Sequence, residues 1–227
     1  MTLSWKNPST WPPNLPELDC EPDAPELDES VTILLSHCES IQAFHGCRTE
    51  SSTSYRDQGV VPLAREELDK RAIGLFFSGN FPELSDLDIP KRNEDSCKIN
   101  QGRIYLAIDD RELLTKSGHY LVYGSEHIIA FAAAISAEGT HDYRKHLKTF
   151  GVPTLIEVCI PLDWLSHSEL RALCCSLIRA RVEGWADDSI DFSITLARSI
   201  PPEMIVKITH PNEIFDPLLW QDYKFEI

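Results

Sequence analysis

A histidine followed by a glycine, near the end of an apolar segment, is the first candidate for chemistry in the sequence. His45 and Gly46 belong to residues 41–47, IQAFHGC, whose alternating pattern predicts a strand. An imidazole can hold or release a proton near neutral pH, and a glycine lets a ligand approach the backbone because it has no Cβ. A histidine in such a strand is more often a core or edge residue, so both interpretations stay open at this point.

Three tyrosines stand among apolar residues further along the chain. Tyr105 lies in GRIYLAI, and Tyr120 and Tyr123 lie in HYLVYG. Flat aromatic rings can hold a planar ligand by stacking, whereas the same alternation is typical of ordinary sheet residues. The spacing therefore predicts either a ring-binding slot or part of a sheet.

The charge balance restricts the classes of partner. The chain has 21 Lys and Arg against 36 Asp and Glu, which gives a formal net charge of −15. A protein that follows a phosphate backbone needs clustered cations, and an anionic membrane surface repels an acidic chain. We therefore expect no nucleic acid and no membrane as partner. A macromolecular partner would be a protein, and a basic one fits the charge best.

Neither the cysteines nor the histidines form a metal or disulfide pattern. The seven cysteines include no matched C-x-x-C pairs, so we expect reduced thiols, and Cys47 lacks the pattern of a thiol protease. His141 and His146 do not have the spacing of helical zinc ligands, and no metal is predicted. Because the chain shows neither an apolar leader nor a membrane span, the sequence predicts a cytoplasmic protein.

Short strands interrupted by helices must position the candidate residues. No βαβ rhythm and no glycine-rich phosphate loop are present, and this pattern indicates an α+β fold. The long polar segment Ser78–Gln101 is predicted to be a loop, and loops of that length are often functional. The predicted strands are 41–47, 102–108, 154–162 and two around the IPP turn at 200–202. The predicted helices are 51–58 ended by Gly59, 64–77, one capped by Asp109 or Asp110, one capped by Ser125, and 166–183 with a Ser166–Glu169 capping box.

The chain divides into two parts by composition. Residues 1–30 hold six of the fifteen prolines and a cluster of acids, so they are predicted to form a strap or tail rather than a core of their own. Trp5 and Trp11 would anchor this segment on the domain, or the segment would serve as an arm for a partner. Residues 31–227 are predicted to form a single domain.

Several short motifs occur in an order that resembles the ADP-ribosyltransferases. They are FHGC at 44–47, SYRDQGVVPL at 54–63, GRIYLA at 102–107, KSGHY at 116–120 and IPPEMI at 200–205. The resemblance is to the branch with a His-Tyr-Glu signature, which includes the poly-ADP-ribose polymerases and the diphtheria-type toxins. Each motif is short, so the order of the set carries the resemblance.

The resemblance implies a site for NAD as the bound cosubstrate. Tyr105 and Tyr120 would stack on the nicotinamide ring, with Tyr123 as a substitute for one of them. The backbone of Gly46 would pair with the carboxamide, and His45 would donate a hydrogen bond to the adenosine ribose. His45 and Tyr105 would thereby belong to the catalytic set as well as to the binding set.

The resemblance also suggests how the rest of the dinucleotide is held. Arg48 and Arg56 could reach the phosphates, although surface arginines are common for other reasons. The loop Ser78–Gln101 stands where the family carries the loop that covers bound NAD.

The acid of the His-Tyr-Glu signature has no direct counterpart. In the family a glutamate near the start of a late strand stabilises the positive charge that develops on the ribose. Here that region reads DSIDFSI, so Asp191 would act with a shorter reach, or Ser193 would stand at the position of a lost acid. Glu126 in YGSEHI and Glu157 in LIEVCI are the other candidates, although a paired or edge-facing glutamate is the more common reason for a Glu in a strand such as that of Glu157.

The sequence therefore predicts an α+β domain with a split, mixed or antiparallel sheet of the ADP-ribosyltransferase type and peripheral helices. The function that follows is NAD-dependent transfer of ADP-ribose to a protein. The alternative is a non-catalytic protein, either an acidic binding or inhibitor protein of the immunity type or a degenerate NAD-binding fold.

Overall fold

The structure is a computed structural model that describes residues 1–17, 24–78, 81–84, 102–137, 141–184 and 188–225. The strands are β1 (Thr2–Leu3), β2 (Ser40–Thr49), β3 (Ile104–Ala107), β4 (Val152–Pro161), β5 (Ser193–Leu196), β6 (Ile205–Thr209), β7 (Glu213–Asp216) and β8 (Gln221–Lys224). The helices are α1 (Leu27–His37), α2 (Thr53–Gln58), α3 (Arg65–Phe77), α4 (Asp110–Thr115), α5 (His119–Val122), α6 (Glu126–Ala137) and α7 (His167–Glu183). Short 3₁₀ turns connect several of them.

Local signals that were readable in the sequence set several of the helix ends. The predicted capping box of α7 is confirmed, since the Ser166 side chain accepts from the Glu169 backbone and Glu169 reaches back to Ser166. Asp109 caps α4 by accepting from the Arg111 N–H. Gly59 ends α2 with a φ of 76°, as predicted.

Five strands form one antiparallel sheet in the order β5-β3-β2-β4-β6, and β1 adds a short parallel pairing to β2. Strands β2 and β4 pair over their whole lengths, from Ser40↔Pro161 to Thr49↔Val152. Strands β7 and β8 form a separate hairpin. The predicted α+β class is confirmed at this level.

Helices cover both faces of the sheet and make two apolar cores. On one face α1 and α7 pack against β2, β3 and β4, with Ile41, Leu106 and Ile156 among the buried residues. On the other face α3 to α6 pack around Phe44 and Leu155. Because α7 lies in the first core, Cys174 and Cys175 pack there as free thiols.

The N-terminal segment is part of the fold. Trp5 and Trp11 are buried with ring centroids 5.0 Å apart, and the Trp5 indole N–H donates to the Asp188 carbonyl oxygen at 3.0 Å. Helix α1 starts at Leu27, which is fully buried, so the folded chain does not begin at Val31. Burial of these two tryptophans explains how residues 1–17 pack on the domain.

Most of the long predicted loop, at 79–80 and 85–101, lies outside the described residues. Between these stretches Pro82–Leu84 forms a 3₁₀ turn, and Leu84 is buried in the second core. Among the described helices, none has the length and apolar character needed to cross a lipid bilayer.

Candidate functional site

The sheet opens along one edge of β2. Strand β1 pairs with that edge at Ser40 and Ile41, and β3 pairs with it at Phe44↔Ala107. Within the described ranges no strand pairs with the same edge over residues 45–49. Beyond Phe44 the sheet therefore divides into one part made of β2, β4 and β6 and another made of β3 and β5.

His45 stands where the two parts separate. Its Nδ1 lies 3.0 Å from the backbone carbonyl oxygen of Tyr105. A carbonyl oxygen can only accept, so Nδ1 carries the proton. Burial lowers the pKa of His45, and the bond to Tyr105 opposes this effect only in part. The neutral ring then presents Nε2 as an acceptor, which corrects the expectation that His45 donates to a ribose hydroxyl.

The side chains of His45 and Tyr105 lie on opposite faces of the sheet. Phe44 and Ala107 are paired and share a face, and Tyr105 stands two residues from Ala107 on that same face. His45 pairs with Ile156, which belongs to the other core. The contact between the two residues is therefore made through the Tyr105 backbone.

Tyr120 and Glu126 are in direct contact on the Tyr105 side of the sheet. The Tyr120 hydroxyl donates to Glu126 Oε1 at 3.0 Å. Burial raises the pKa of Tyr120 most, and Glu126 and then Tyr105 raise it further. The Glu126 side chain is 51% exposed, which leaves it open to a ligand from solvent.

His119 joins this group and was not singled out from the sequence. Its ring centroid is 4.0 Å from that of Tyr120, and its Nε2 is 3.9 Å from Glu126 Oε1. Burial lowers the pKa of His119 against the opposing effect of Glu126. Its position beside Tyr120 in KSGHY was the available signal. We define the contact cluster as His119, Tyr120 and Glu126.

The acid predicted on the late strand is not in this cluster. Asp191 is exposed and precedes β5 by two residues. Tyr105 pairs with Thr195, and Asp191 lies four positions before Thr195, which is about 13 Å along an extended chain. Ser193 pairs with Ala107. The position on β5 directly opposite Tyr105 therefore holds a threonine, and Glu126 is the predicted acid that contacts a predicted stacking residue.

Glu157 is a sheet residue with partners of its own. It accepts a hydrogen bond from the Gln42 amide at 2.7 Å and stands opposite Lys207 on β6. These contacts explain a carboxylate in an otherwise apolar strand.

Tyr123 lies in the second core rather than in a ligand slot. Its hydroxyl donates to Asp216 Oδ2 at 2.6 Å, and Lys148 donates to the same oxygen at 2.7 Å. Tyr123 is 3% exposed, and Asp216 is fully buried. The two tyrosines of HYLVYG thus diverge because they lie on and just after the short helix α5, not on a strand.

Arg48 forms hydrogen bonds within the fold. Its guanidinium donates to the carbonyl oxygens of five residues from two segments: Leu121, Val122, Lys148, Phe150 and Gly151. These bonds engage its N–H groups, so a phosphate would have to displace carbonyl acceptors. Arg56 is exposed on α2.

Gly46 does not stand in open space. A Cβ built at this position would lie 3.5 Å from Leu113 and 3.6 Å from Leu121, which are ordinary van der Waals contacts. On this face a ligand would gain no closer approach from the missing Cβ, because Leu113 and Leu121 already cover Gly46.

The thiol of Cys47, next to Gly46, is held in its protonated form. The Tyr55 hydroxyl donates to Cys47 Sγ at 3.4 Å, and burial raises the pKa of Cys47 to about 11 against the smaller opposing effects of Tyr55 and Arg71. Such a thiol stays protonated at neutral pH. The part of the chain that the structure describes contains no group of three or more His, Cys, Asp or Glu side chains arranged to hold a metal ion.

Comparison with protein-family models, with curated proteins and with solved structures finds no match to this chain.

Proposed function

We propose that this protein binds NAD where the sheet opens and transfers ADP-ribose to a protein target. The observation that carries the proposal is the contact cluster, in which the Tyr120 hydroxyl and Glu126 Oε1 are 3.0 Å apart and the ring centroids of Tyr120 and His119 are 4.0 Å apart. A flat ring and a carboxylate side by side are what cleavage of the nicotinamide–ribose bond requires. The ring fixes the leaving group, and the carboxylate stabilises positive charge on the ribose.

The strand order supports the same proposal. The resemblance places a histidine, a tyrosine and an acid on three strands, and the segments that carry FHGC, GRIYLA and DSIDFSI form or adjoin the neighbouring strands β2, β3 and β5. These strands are far apart in sequence, so their adjacency is not a trivial result of chain order. The division of the sheet beyond Phe44 leaves the edge of β2 as the place for the dinucleotide.

Four residues have a role in the proposed reaction. Tyr105 and Tyr120 hold the nicotinamide, and Glu126 supplies the negative charge. His45 accepts a hydrogen bond from a ribose hydroxyl through Nε2, because Nδ1–H is committed to the Tyr105 carbonyl oxygen. A dinucleotide that crosses the open edge of β2 would contact His45 on one face and the contact cluster on the other.

Titration calorimetry with NAD, followed by transfer from labelled NAD to a mixture of basic proteins, tests the proposal. Glu126→Gln should lower the transfer rate by about 100-fold with little loss of NAD affinity. Tyr105→Ala should weaken NAD binding by about tenfold, because a stacking surface is lost. Glu66→Gln, an exposed change of the same type on α3, is the matched control and should alter neither quantity. No heat with NAD would overturn the proposal.

One observation favours a non-catalytic protein as the second candidate. The residues of β5 that share a face with Tyr105 are Ser193 and Thr195, and neither is an acid. If NAD binds with measurable heat, no transfer occurs and Glu126→Gln does not alter the NAD affinity, the protein is a degenerate NAD-binding fold. Absence of NAD binding together with tight binding of a basic protein would identify an acidic inhibitor.

A further inference from the structure

The hairpin β7–β8 leaves one of its edges open. Strand β8 pairs with β7 from Glu213↔Lys224 to Asp216↔Gln221. Over the ranges that the structure describes, no backbone group bonds to the other edge of β8. Gln221, Asp222 and Lys224 are all exposed. An open edge of this kind presents unpaired N–H and C=O groups to another strand.

The pattern of hydrogen bonds shows which backbone groups face outward. The N–H of Phe225 donates to the Asn212 carbonyl oxygen at 2.9 Å. Hydrogen-bonded pairs alternate in an antiparallel ladder, so Ile214↔Tyr223 is also such a pair. The backbone groups of Asp222 and Lys224 therefore point away from β7.

These two residues make β8 complementary to itself. When two copies of β8 pair antiparallel about Tyr223, Asp222 of one copy stands opposite Lys224 of the other, twice. Because the backbone groups of Asp222 and Lys224 point outward, the same register allows both backbone hydrogen bonds and opposite-charge pairs between the two copies. A register centred on Asp222 or on Lys224 would instead place like charges opposite each other, which is unfavourable.

An apolar tip lies beside the same edge. Leu218 and Leu219 are each 46% exposed, and Trp220 is 80% exposed. Asp216 Oδ1 accepts from the Leu218 and Leu219 N–H groups at 3.0 and 3.3 Å, and the Trp220 ring lies 5.5 Å from that of Phe215. These contacts fix the conformation of the tip before any association, which reduces the conformational entropy that the tip loses on binding.

We propose that β8 is a homodimerisation edge, at which two copies of this chain join their hairpins into a four-stranded antiparallel sheet. In the register about Tyr223, Gln221 of one copy stands opposite Phe225 of the second copy, so Trp220, at the end of the apolar tip, lies near that Phe225. The net charge of −15 on each copy opposes association. The Asp222–Lys224 pairs and the tip act against that repulsion over a short range. This interface is independent of NAD binding.

Sedimentation velocity of the full chain tests this interface, from low to high micromolar concentration in about 0.15 M salt, where the Debye length is about 8 Å. Asp222→Lys and Lys224→Asp should each weaken the dimer by about tenfold or more, because each places like charges opposite each other twice. An equimolar mixture of the two variants should restore the dimer, since every pair across the interface is then opposite in charge.

Matched controls separate local pairing from net charge. Glu203→Lys and Lys70→Asp make the same two charge changes at exposed positions outside the hairpin and should leave the dimer intact. A chain that stays monomeric at every concentration would overturn the interface. So would a dimer that both β8 variants leave unchanged, or a mixture of the two that does not reassociate. Circular dichroism of each variant verifies that it is folded.

Discussion

The Nδ1–H of His45 donates to the backbone carbonyl oxygen of Tyr105 over 3.0 Å, at the point where β2 and β3 stop pairing. The bond replaces a backbone pairing with a side-chain link between the two parts of the sheet. It also decides the tautomer of His45, and so whether Nε2 donates or accepts.

The stability of the protein should depend on pH through His45. The pKa of His45 is lowered in the folded protein because burial disfavours the charged ring. Protons therefore bind the unfolded chain more readily, so this contribution is complete above the unfolded pKa of about 6.5 and is lost as pH falls from there toward the folded pKa. Wild type should lose stability faster than His45→Gln below about pH 6.5, by at most about 1.4 kcal/mol per pH unit.

Urea unfolding at several pH values measures this difference. His119 also has a lowered pKa and contributes in the same direction, but it is present in both proteins and cancels. Parallel pH profiles for wild type and His45→Gln would show that His45 does not titrate as described.

Arg48 should prove structural. Arg48→Lys removes most of the bonds to five carbonyl oxygens, because a lysine ammonium cannot reproduce the planar fork. We expect a loss of about 3 kcal/mol in the free energy of unfolding. Arg56→Lys on the exposed face of α2 is the control and should change stability by less than about 0.5 kcal/mol. Equal effects of the two changes in urea unfolding would contradict the structural role.

Gly59 and Gly74 should respond to alanine in opposite directions. Gly59 has a φ of 76°, and a Cβ there would lie 1.9 Å from the Ile200 carbonyl oxygen, so Gly59→Ala should cost about 3 kcal/mol or more. Gly74 lies within α3, where a Cβ meets nothing within 4 Å. Gly74→Ala should stabilise the protein by about 0.5 to 1 kcal/mol. Thermal unfolding of both variants measures the contrast, and equal shifts would refute it.

Asp216 links the hairpin to the second core. Burial by itself would raise the pKa of Asp216, but hydrogen bonds from Lys148 and Tyr123 outweigh it and hold the pKa below its ordinary value. Asp216→Asn leaves the Lys148 ammonium without its counter-charge and should cost about 3 kcal/mol at neutral pH. The difference from wild type should shrink as pH falls below about 4, because the aspartate of the unfolded chain is protonated there while the folded one is still ionised.

A double variant provides the control for this pair. Asp216→Asn combined with Lys148→Met removes both charges and should be more stable than Asp216→Asn alone. Urea unfolding of the single and double variants distinguishes the outcomes. A double variant that is less stable than the single one would show that Lys148 does not depend on Asp216.

Local chemistry was readable because it acts between neighbours in the chain. The capping box at Ser166 and Glu169, the cap at Asp109 and the helix end at Gly59 each depend on residues within a few positions. The tyrosines were not separable in this way. Tyr120 and Tyr123 have similar neighbours, yet one contacts Glu126 and the other bonds to Asp216, which lies 93 residues further on.

The sequence by itself determined the α+β class, the ends of several helices and the acidic balance, because composition and short-range hydrogen bonding decide them. Only the tertiary structure decided which strands became neighbours, that five carbonyls enclose Arg48, and that Glu126 rather than Asp191 lies beside Tyr120. The strand pairings and the carbonyls around Arg48 join distant segments, and no local pattern encodes their register. Glu126 is only six residues from Tyr120, and their contact depends on the bend between α5 and α6. Asp222 and Lys224 can pair with a second copy only because β8 has an open edge, and only the folded hairpin provides that edge.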